Sequence, residues 1–179
     1  VSAYDGEIFH WENYLNNEIA TGNDMLGNQR TFNVKKNGRN DYSMIDEKRG
    51  IYIYDANGST FTYNLNKDKP VVTSGRLVTS SNNTWPSGAV SLLANLSIVV
   101  DYFENNLGRD SFNDRGGLIY AAYNDPVDNA FSHTRSEAVY TVLRFGSGRD
   151  RINSLDTIGH EYMHSVERSI SNITSSSNH

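Results

Sequence analysis

Two histidines and a glutamate lie close together near the carboxyl end of the chain, in the stretch His160-Glu161-Tyr162-Met163-His164. On an α-helix, residues four apart project from one face, one turn apart, so the two imidazoles could bind one metal ion. Glu161 follows the first histidine by about 100° around the helix axis, which would place its carboxylate beside that metal. There it could take a proton from water. The spacing therefore predicts a hydrolytic zinc site.

The residues around this motif have the periodicity of an amphipathic helix. Asn153 or Ser154 can serve as the N-cap, and Asp156 lies in the first turn, where the helix dipole favours an anion. We predict a helix from about Ser154 to Ser171, and the alternative is a chance motif on a solvated face. Apolar residues recur at three- and four-residue steps, at Leu155, Ile158, Tyr162, Val166 and Ile170.

Composition restricts the class of protein. A chain of 179 residues with 37% hydrophobic and 21% charged residues fits one globular domain, or one lobe of a larger protein. The net charge of −5, with scattered cations, argues against nucleic-acid and anionic-membrane partners. The chain has no cysteine, so histidine and carboxylate side chains must hold any transition metal. No apolar run approaches the roughly 18 residues needed to cross a bilayer.

The first half of the chain has a β pattern. Between Gly22 and Asp68, short apolar runs alternate with the turn signals Asn37-Gly38 and Asn57-Gly58, which predicts an antiparallel meander. The preceding polar stretch, His10–Thr21, is interpreted as a connecting segment, and the Ser/Thr-rich stretch Val71–Thr84 as a loop.

The second half combines helices and strands. Pro86 and Gly108 bracket a predicted helix over Ser87–Leu107. Gly117–Tyr123 and Ala138–Phe145 are predicted strands, and the segment around Asn129-Ala130-Phe131 between them is an edge strand or loop. Three arginines, at positions 144, 149 and 151, are interpreted as a solvated basic loop.

Several stretches in this order resemble the thermolysin family of secreted bacterial zinc endopeptidases, over about Gly22–Ile173. They are Leu26-Gly27-Asn28-Gln29, Arg49–Ala56, Asp101-Tyr102-Phe103, Asn129-Ala130-Phe131, Ser136–Tyr140 and the histidine motif. The resemblance implies an α+β fold: a zincin-like, antiparallel β-rich N-terminal lobe with a long helix and a second helix carrying His-Glu-x-x-His. It also implies a partner, the helical C-terminal lobe of the same polypeptide, and a peptide or protein substrate.

The same resemblance assigns roles to residues of this chain. His160 and His164 would bind zinc and Glu161 would be the general base. Asn129 and Ala130 would lie on an edge strand whose backbone pairs with the extended substrate. Asp156 would contribute to a calcium site. One carboxylate cannot form that site alone, because calcium takes six to eight oxygen ligands.

The third zinc ligand of the family is a glutamate about twenty residues beyond the second histidine. The sequence given ends at His179, fifteen residues after that histidine, His164. We therefore expect residues 18–179 to form an N-terminal lobe without peptidase activity of its own. Residues 1–17 resemble the end of the family's propeptide, and an ordinary N-terminal hairpin is the alternative. The parent protein would be a secreted zymogen.

A non-catalytic β-rich surface or binding module with a degenerate metal motif is the alternative function. Thr141–Phe145, which stands where the family usually has a Gly-Asp-Gly strand, favours that alternative slightly.

Overall fold

The computed structural model describes residues 17–64, 69–135, 137–147, 152 and 154–171. The fold is α+β and rich in strands, with two helices among the described residues. Residues 1–16 lie outside the described part, and the predicted division between residues 1–17 and 18–179 falls within β1 and stays a prediction. No helix in the described part is both long and apolar enough to span a membrane.

The described strands are short, apart from β2 and β10. In chain order they are β1 (Asn17–Asn23), β2 (Gln29–Gly38), β3 (Asp41–Ser43), β4 (Ile45–Asp46), β5 (Ile51–Asp55), β6 (Thr62–Asn64), β7 (Val71–Ser74), β8 (Arg76–Leu77), β9 (Thr79–Ser80), β10 (Leu118–Asp125), β11 (Ala130–Thr134) and β12 (Tyr140–Gly146). The helices are α1 (Ser87–Leu107) and α2 (Leu155–Ile170).

An antiparallel sheet in the order β1-β2-β3-β9 covers one side of the core. The interpretation of His10–Thr21 as a connecting segment is wrong for its last five residues, because β1 pairs with β2 from Asn17 opposite Lys35 to Asn23 opposite Gln29. Within β1 only Ala20 is buried. A strand that buries one side chain carries almost no apolar alternation, so its composition alone indicates a loop.

The central sheet has the order β11-β12-β10-β5-β4, with β8 pairing beside β5. β10 is parallel to both of its neighbours, β12 and β5, so the fold is not wholly antiparallel. The predicted meander over Gly22–Asp68 is therefore wrong from β4 onward, because β4 and β5 belong to this second sheet. Asn57 and Gly58 form a turn at positive φ, but β6 pairs with β7 and not with β5.

The interpretation of Val71–Thr84 as a loop is also wrong. β7, β8 and β9 lie within it and pair with three different strands, β6, β5 and β3. β8 and β9 are only two residues long, and β7 is only partly buried. Short edge strands of this kind tolerate serine and threonine, so the composition did not distinguish them from a loop.

Both helices pack on one face of the central sheet. α1 has the predicted bounds and ends where Gly108 adopts the left-handed conformation, with its amide donating to the carbonyl of Glu104. The ring centroids of Phe103 on α1 and Tyr162 on α2 are 5.0 Å apart, so the helices contact each other directly. Side chains of the central strands alternate between this helical side and a tyrosine-rich outer side covered in part by β6 and β7.

Candidate metal and peptide site

The histidines of the predicted metal site lie one turn apart on α2. Their Nε2 atoms are 3.0 Å apart and their rings are nearly perpendicular, at 82°. Two nitrogens bound to one tetrahedral zinc at about 2.0–2.1 Å would be separated by roughly 3.3 Å. Both nitrogens could therefore bind one zinc ion after only a small adjustment of the side chains.

Glu167 contacts the outer side of this pair. Its Oε2 atom lies 3.3 Å from Nδ1 of His164, while Nε2 of that ring faces His160. A carboxylate at Nδ1 favours the tautomer whose Nε2 is free to bind a metal. Glu167 is 58% exposed, so this contact orients the ring but contributes little to stability.

Glu161, next to the first histidine, is buried, with 7% of its surface exposed. Its helix is held by the fully buried side chains of Ile158 and Tyr162, and its N-terminus is capped by Ser154, whose hydroxyl accepts a hydrogen bond from the amide of Thr157. A carboxylate that follows His160 directly in the sequence and is removed from bulk water can act as a base towards water.

Among the described residues, no group of three or more His, Cys, Asp or Glu side chains is arranged to hold a metal ion. The two histidines bring two ring nitrogens together, and their role as metal ligands stays a prediction. Asp156 lies exposed in the first turn of α2, at the predicted place, and its calcium role stays a prediction.

The segment predicted to pair with substrate forms the edge of the central sheet. The carbonyl of Asn129 accepts a hydrogen bond of 2.9 Å from the amide of Gly146. Main-chain groups alternate in direction along an antiparallel ladder, so residues 131 and 133 also face β12. The N–H and C=O groups of Ala130 and Ser132 consequently point away from the sheet, where an added strand could pair with them.

A chain of hydroxyl groups joins the edge strand β11 to the helix α2. Ser165 on α2 lies 2.8 Å from the hydroxyl of Thr141 on β12 and 3.3 Å from the hydroxyl of Ser132 on β11. The hydroxyls of Thr141 and Thr134 are 2.6 Å apart and buried. Because buried hydroxyls need partners, this chain fixes the edge strand relative to the helix.

Gly146 allows the loop before β11 to approach β12 closely. A Cβ atom at this glycine would lie 1.7 Å from the carbonyl oxygen of Val127 and 2.9 Å from that of Asn129. Glycine is required at this position because there is no room for a Cβ atom. Backbone conformation is not the reason, since the φ of Gly146 is not in the left-handed region.

The interpretation of Arg144 as part of a solvated loop is wrong. Arg144 lies on β12, and its Nε and Nη2 atoms donate to Oδ2 of the fully buried Asp125, at 2.9 and 2.7 Å. Its guanidinium also lies 5.6 Å from the ring centroid of Phe131. A buried carboxylate requires such a partner. Arg149 and Arg151 lie outside the described residues.

Sequence reasoning missed two residues beside the predicted site, Ser132 and Arg168. Arg168 follows His160 and His164 at the same four-residue spacing, which could have placed it on their face of the helix. Its contact with Ser132 on another element left no signal in the sequence.

Comparisons with known proteins place most of this chain in one family. Residues 19–168 match the family described as "Thermolysin metallopeptidase, catalytic domain". The chain is 31% identical over 175 residues to a bacillolysin of Brevibacillus brevis, covering 93% of this chain and 30% of that protein. It is 27% identical to neutral protease B of Bacillus subtilis, covering 93% of this chain and 31% of the relative. The chain thus spans less than a third of these relatives.

A solved structure described as a precursor of protealysin, a metalloproteinase from Serratia proteamaculans, covers 66% of this chain and 34% of its own, at 21% identity and a TM-score of 0.46. That likeness is too low to support an assignment.

Proposed function

This chain belongs to the thermolysin metallopeptidase family, and from that premise we propose that it is the N-terminal lobe of a zinc-dependent neutral endopeptidase. The observation that carries the proposal is the separation of 3.0 Å between the Nε2 atoms of His160 and His164, beside the buried Glu161. The family supplies the substrate class, which is peptides or proteins.

In the proposed mechanism, His160 and His164 would hold a zinc ion, which would supply Lewis acidity towards a water molecule and the peptide carbonyl. Glu161 accepts the proton of the attacking water and returns it to the leaving nitrogen. Both histidines must be unprotonated to bind the metal, so activity is expected near neutral pH and is lost in acid.

We place the third zinc ligand on a glutamate about twenty residues beyond His164, in a part of the protein that follows this sequence. Catalytic zinc usually takes three protein ligands, and the described residues supply two. The C-terminal lobe of the same polypeptide would close the other side of the cleft. The exposed apolar side chains of Leu155, Met163 and Ile170 on α2 favour such a covering, because they are between 43% and 68% exposed.

The substrate would bind as an additional strand beside β11. Ala130 offers an outward N–H and C=O pair, and Asn129 lies at the start of this edge. Main-chain pairing of this kind is largely independent of the substrate's sequence, which suits an endopeptidase.

Secretion, synthesis as a zymogen with residues 1–17 in the pro-segment, and a calcium ion near Asp156 complete the proposal. They are supported by the resemblance of this chain to its family.

Replacement of the base tests the proposed mechanism. In the complete, zinc-loaded protein, Glu161→Gln should lower peptide hydrolysis by at least about 100-fold, because general base catalysis is lost. The zinc content, measured by elemental analysis, should remain at the wild-type level. Glu104→Gln, on the exposed side of α1, is the matched control and should keep full activity. Full activity of Glu161→Gln would overturn the assignment of the base.

The 179-residue chain itself tests the assignment of the third ligand. We expect it to bind zinc weakly and to hydrolyse no peptide. Micromolar or tighter zinc binding, measured by calorimetry, together with measurable peptide hydrolysis would contradict the proposal that an essential ligand lies elsewhere.

A further inference from the structure

Arg168 connects α2, the helix that carries His160 and His164, to β11, the edge strand of the central sheet. It lies on α2 one turn beyond His164, and its Nη1 atom donates a hydrogen bond of 2.5 Å to the carbonyl oxygen of Ser132. That carbonyl points away from the sheet, in the direction from which an added strand would approach. The guanidinium therefore already binds one of the acceptors that a substrate backbone would use.

This contact limits how far a substrate can pair along β11. Ala130 keeps its outward N–H and C=O groups, whereas the next outward carbonyl, that of Ser132, is bound by Arg168. A substrate residue that lies beside Ser132 must be recognised mainly through its side chain, since the main-chain ladder is interrupted there.

The surroundings of Arg168 are basic. Arg135, which follows β11 directly, is exposed. Partial burial lowers the pKa of His133, and the charges of Arg135 and Arg168 lower it further. The nearest acid along α2 is Glu167, whose carboxylate contacts His164. This end of β11 is thus locally positive in a chain whose net charge is −5.

We propose that Arg168 is a specificity-determining residue that selects substrates with an acidic side chain on one side of the scissile bond. The proposal rests on the peptidase function proposed above. Arginine retains several donors after one hydrogen bond and matches a carboxylate in geometry and charge.

The distance along the helix fixes which substrate residue is involved. Four residues of α-helix separate His164 from Arg168, or about 6 Å along the axis. An extended peptide advances about 3.3 Å per residue, so the selected side chain lies about two residues from the scissile bond.

The test uses the complete, zinc-loaded protein and peptide pairs that differ only by Glu or Gln at one position, scanned over three residues on each side of the scissile bond. At one position, about two residues from the bond, kcat/KM should be about 10-fold higher for Glu, because a charge-assisted contact is gained. This preference should shrink as salt is raised from 0.05 to about 1 M.

Arg168→Gln should lower kcat/KM for the Glu peptide about 10-fold more than for the Gln peptide, so that the preference for Glu is lost. Arg168→Lys, which retains the positive charge, should keep part of the preference for Glu. If the glutamine variant does not fold, this lysine variant tests whether the charge causes the preference. Arg39→Gln, in the exposed turn between β2 and β3, is the matched control and should keep the whole preference.

Three outcomes would overturn the inference. Equal rates for Glu and Gln peptides at every position would reject it while the peptidase function stands. A loss of activity in Arg168→Gln that is the same for both peptides would show a structural role only. Absence of hydrolysis of all peptides by the zinc-loaded wild type would reject the peptidase function, and this inference with it.

Discussion

The Nε2 atoms of His160 and His164 lie 3.0 Å apart on successive turns of one helix, with the carboxylate of Glu167 at Nδ1 of the second ring. Two ring nitrogens this close share either a proton, as in an N–H···N hydrogen bond, or a metal ion. The helix itself does not depend on that cation, since Ile158, Tyr162 and Val166 bury its other face.

The first prediction concerns loss of either imidazole. His160→Ala or His164→Ala in the complete protein should abolish stoichiometric zinc binding, measured by elemental analysis after dialysis. The helix content, measured by far-UV circular dichroism, should not change, because His160 is exposed and His164 only partly buried. Full zinc occupancy in either variant would contradict a metal site at this pair.

The second prediction concerns the carboxylate that orients His164. Glu167→Gln should weaken zinc binding by about 10-fold, at the low end of the effects seen for residues that orient metal ligands, because the side chain is 58% exposed. Competition with a chromogenic chelator measures the change. Glu104→Gln is the control for loss of one negative charge, and an equal weakening in both variants would show only a general electrostatic effect.

The third prediction concerns the ion pair between Arg144 and Asp125. Arg144→Gln leaves a carboxylate with no exposed side-chain surface and without its cation, so the free energy of unfolding should fall by about 3 kcal/mol. Adding Asp125→Asn should recover part of this loss, because the uncompensated charge is then absent. Urea denaturation of the two variants measures both effects. A double variant less stable than Arg144→Gln would contradict this explanation.

Local sequence patterns predicted the helices well. The bounds of α1 follow from Pro86 and Gly108, and those of α2 from Ser154 and the apolar spacing of its buried face. These signals are local, since a helix bonds within its own segment. The roles proposed for His160, Glu161 and His164 likewise came from spacing on one helix.

Pairings between distant segments could not be predicted in the same way. β5 has the same alternating pattern as β2, yet it pairs in parallel with β10, more than sixty residues away. Alternation shows that a strand has two faces, but it does not identify its neighbour. The contact of Arg168 with Ser132 is of this non-local kind, as is the ion pair of Arg144 with Asp125.

The fourth prediction concerns pH. The pKa of His133 lies below its ordinary value of about 6.5, because of partial burial and the charges of Arg135 and Arg168. Below pH 6.5 the unfolded chain therefore binds more protons at this residue than the folded chain does, and stability falls as the pH drops towards the folded pKa. The variant His133→Gln should lack the contribution of this residue to the pH dependence of folding stability.

Denaturant unfolding at pH 7.5 and pH 5.5 measures the effect. The loss of stability between the two values should be smaller in His133→Gln than in the wild type. Phe131→Leu, two residues earlier on the same face of β11, changes packing without a titrating group and should keep the wild-type pH dependence. The same pH dependence in His133→Gln would show that other groups cause it.

The fifth prediction concerns Gly146, which allows the loop before β11 to lie against β12. Gly146→Ala would place a methyl group 1.7 Å from the carbonyl oxygen of Val127, a contact that only movement of the backbone can relieve. That movement would break the hydrogen bond of 2.9 Å from Gly146 to Asn129 and displace the start of the edge strand. The free energy of unfolding should fall by about 1–3 kcal/mol. In the complete protein kcat/KM should fall by at least about 10-fold, since small displacements of binding groups are costly.

Gly38→Ala is the matched control, because a methyl group there meets nothing within 4 Å and the residue does not have positive φ. If Gly146→Ala behaved like Gly38→Ala in both measurements, the edge strand would not depend on this close approach, and pairing of substrate beside Ala130 would lose its structural support.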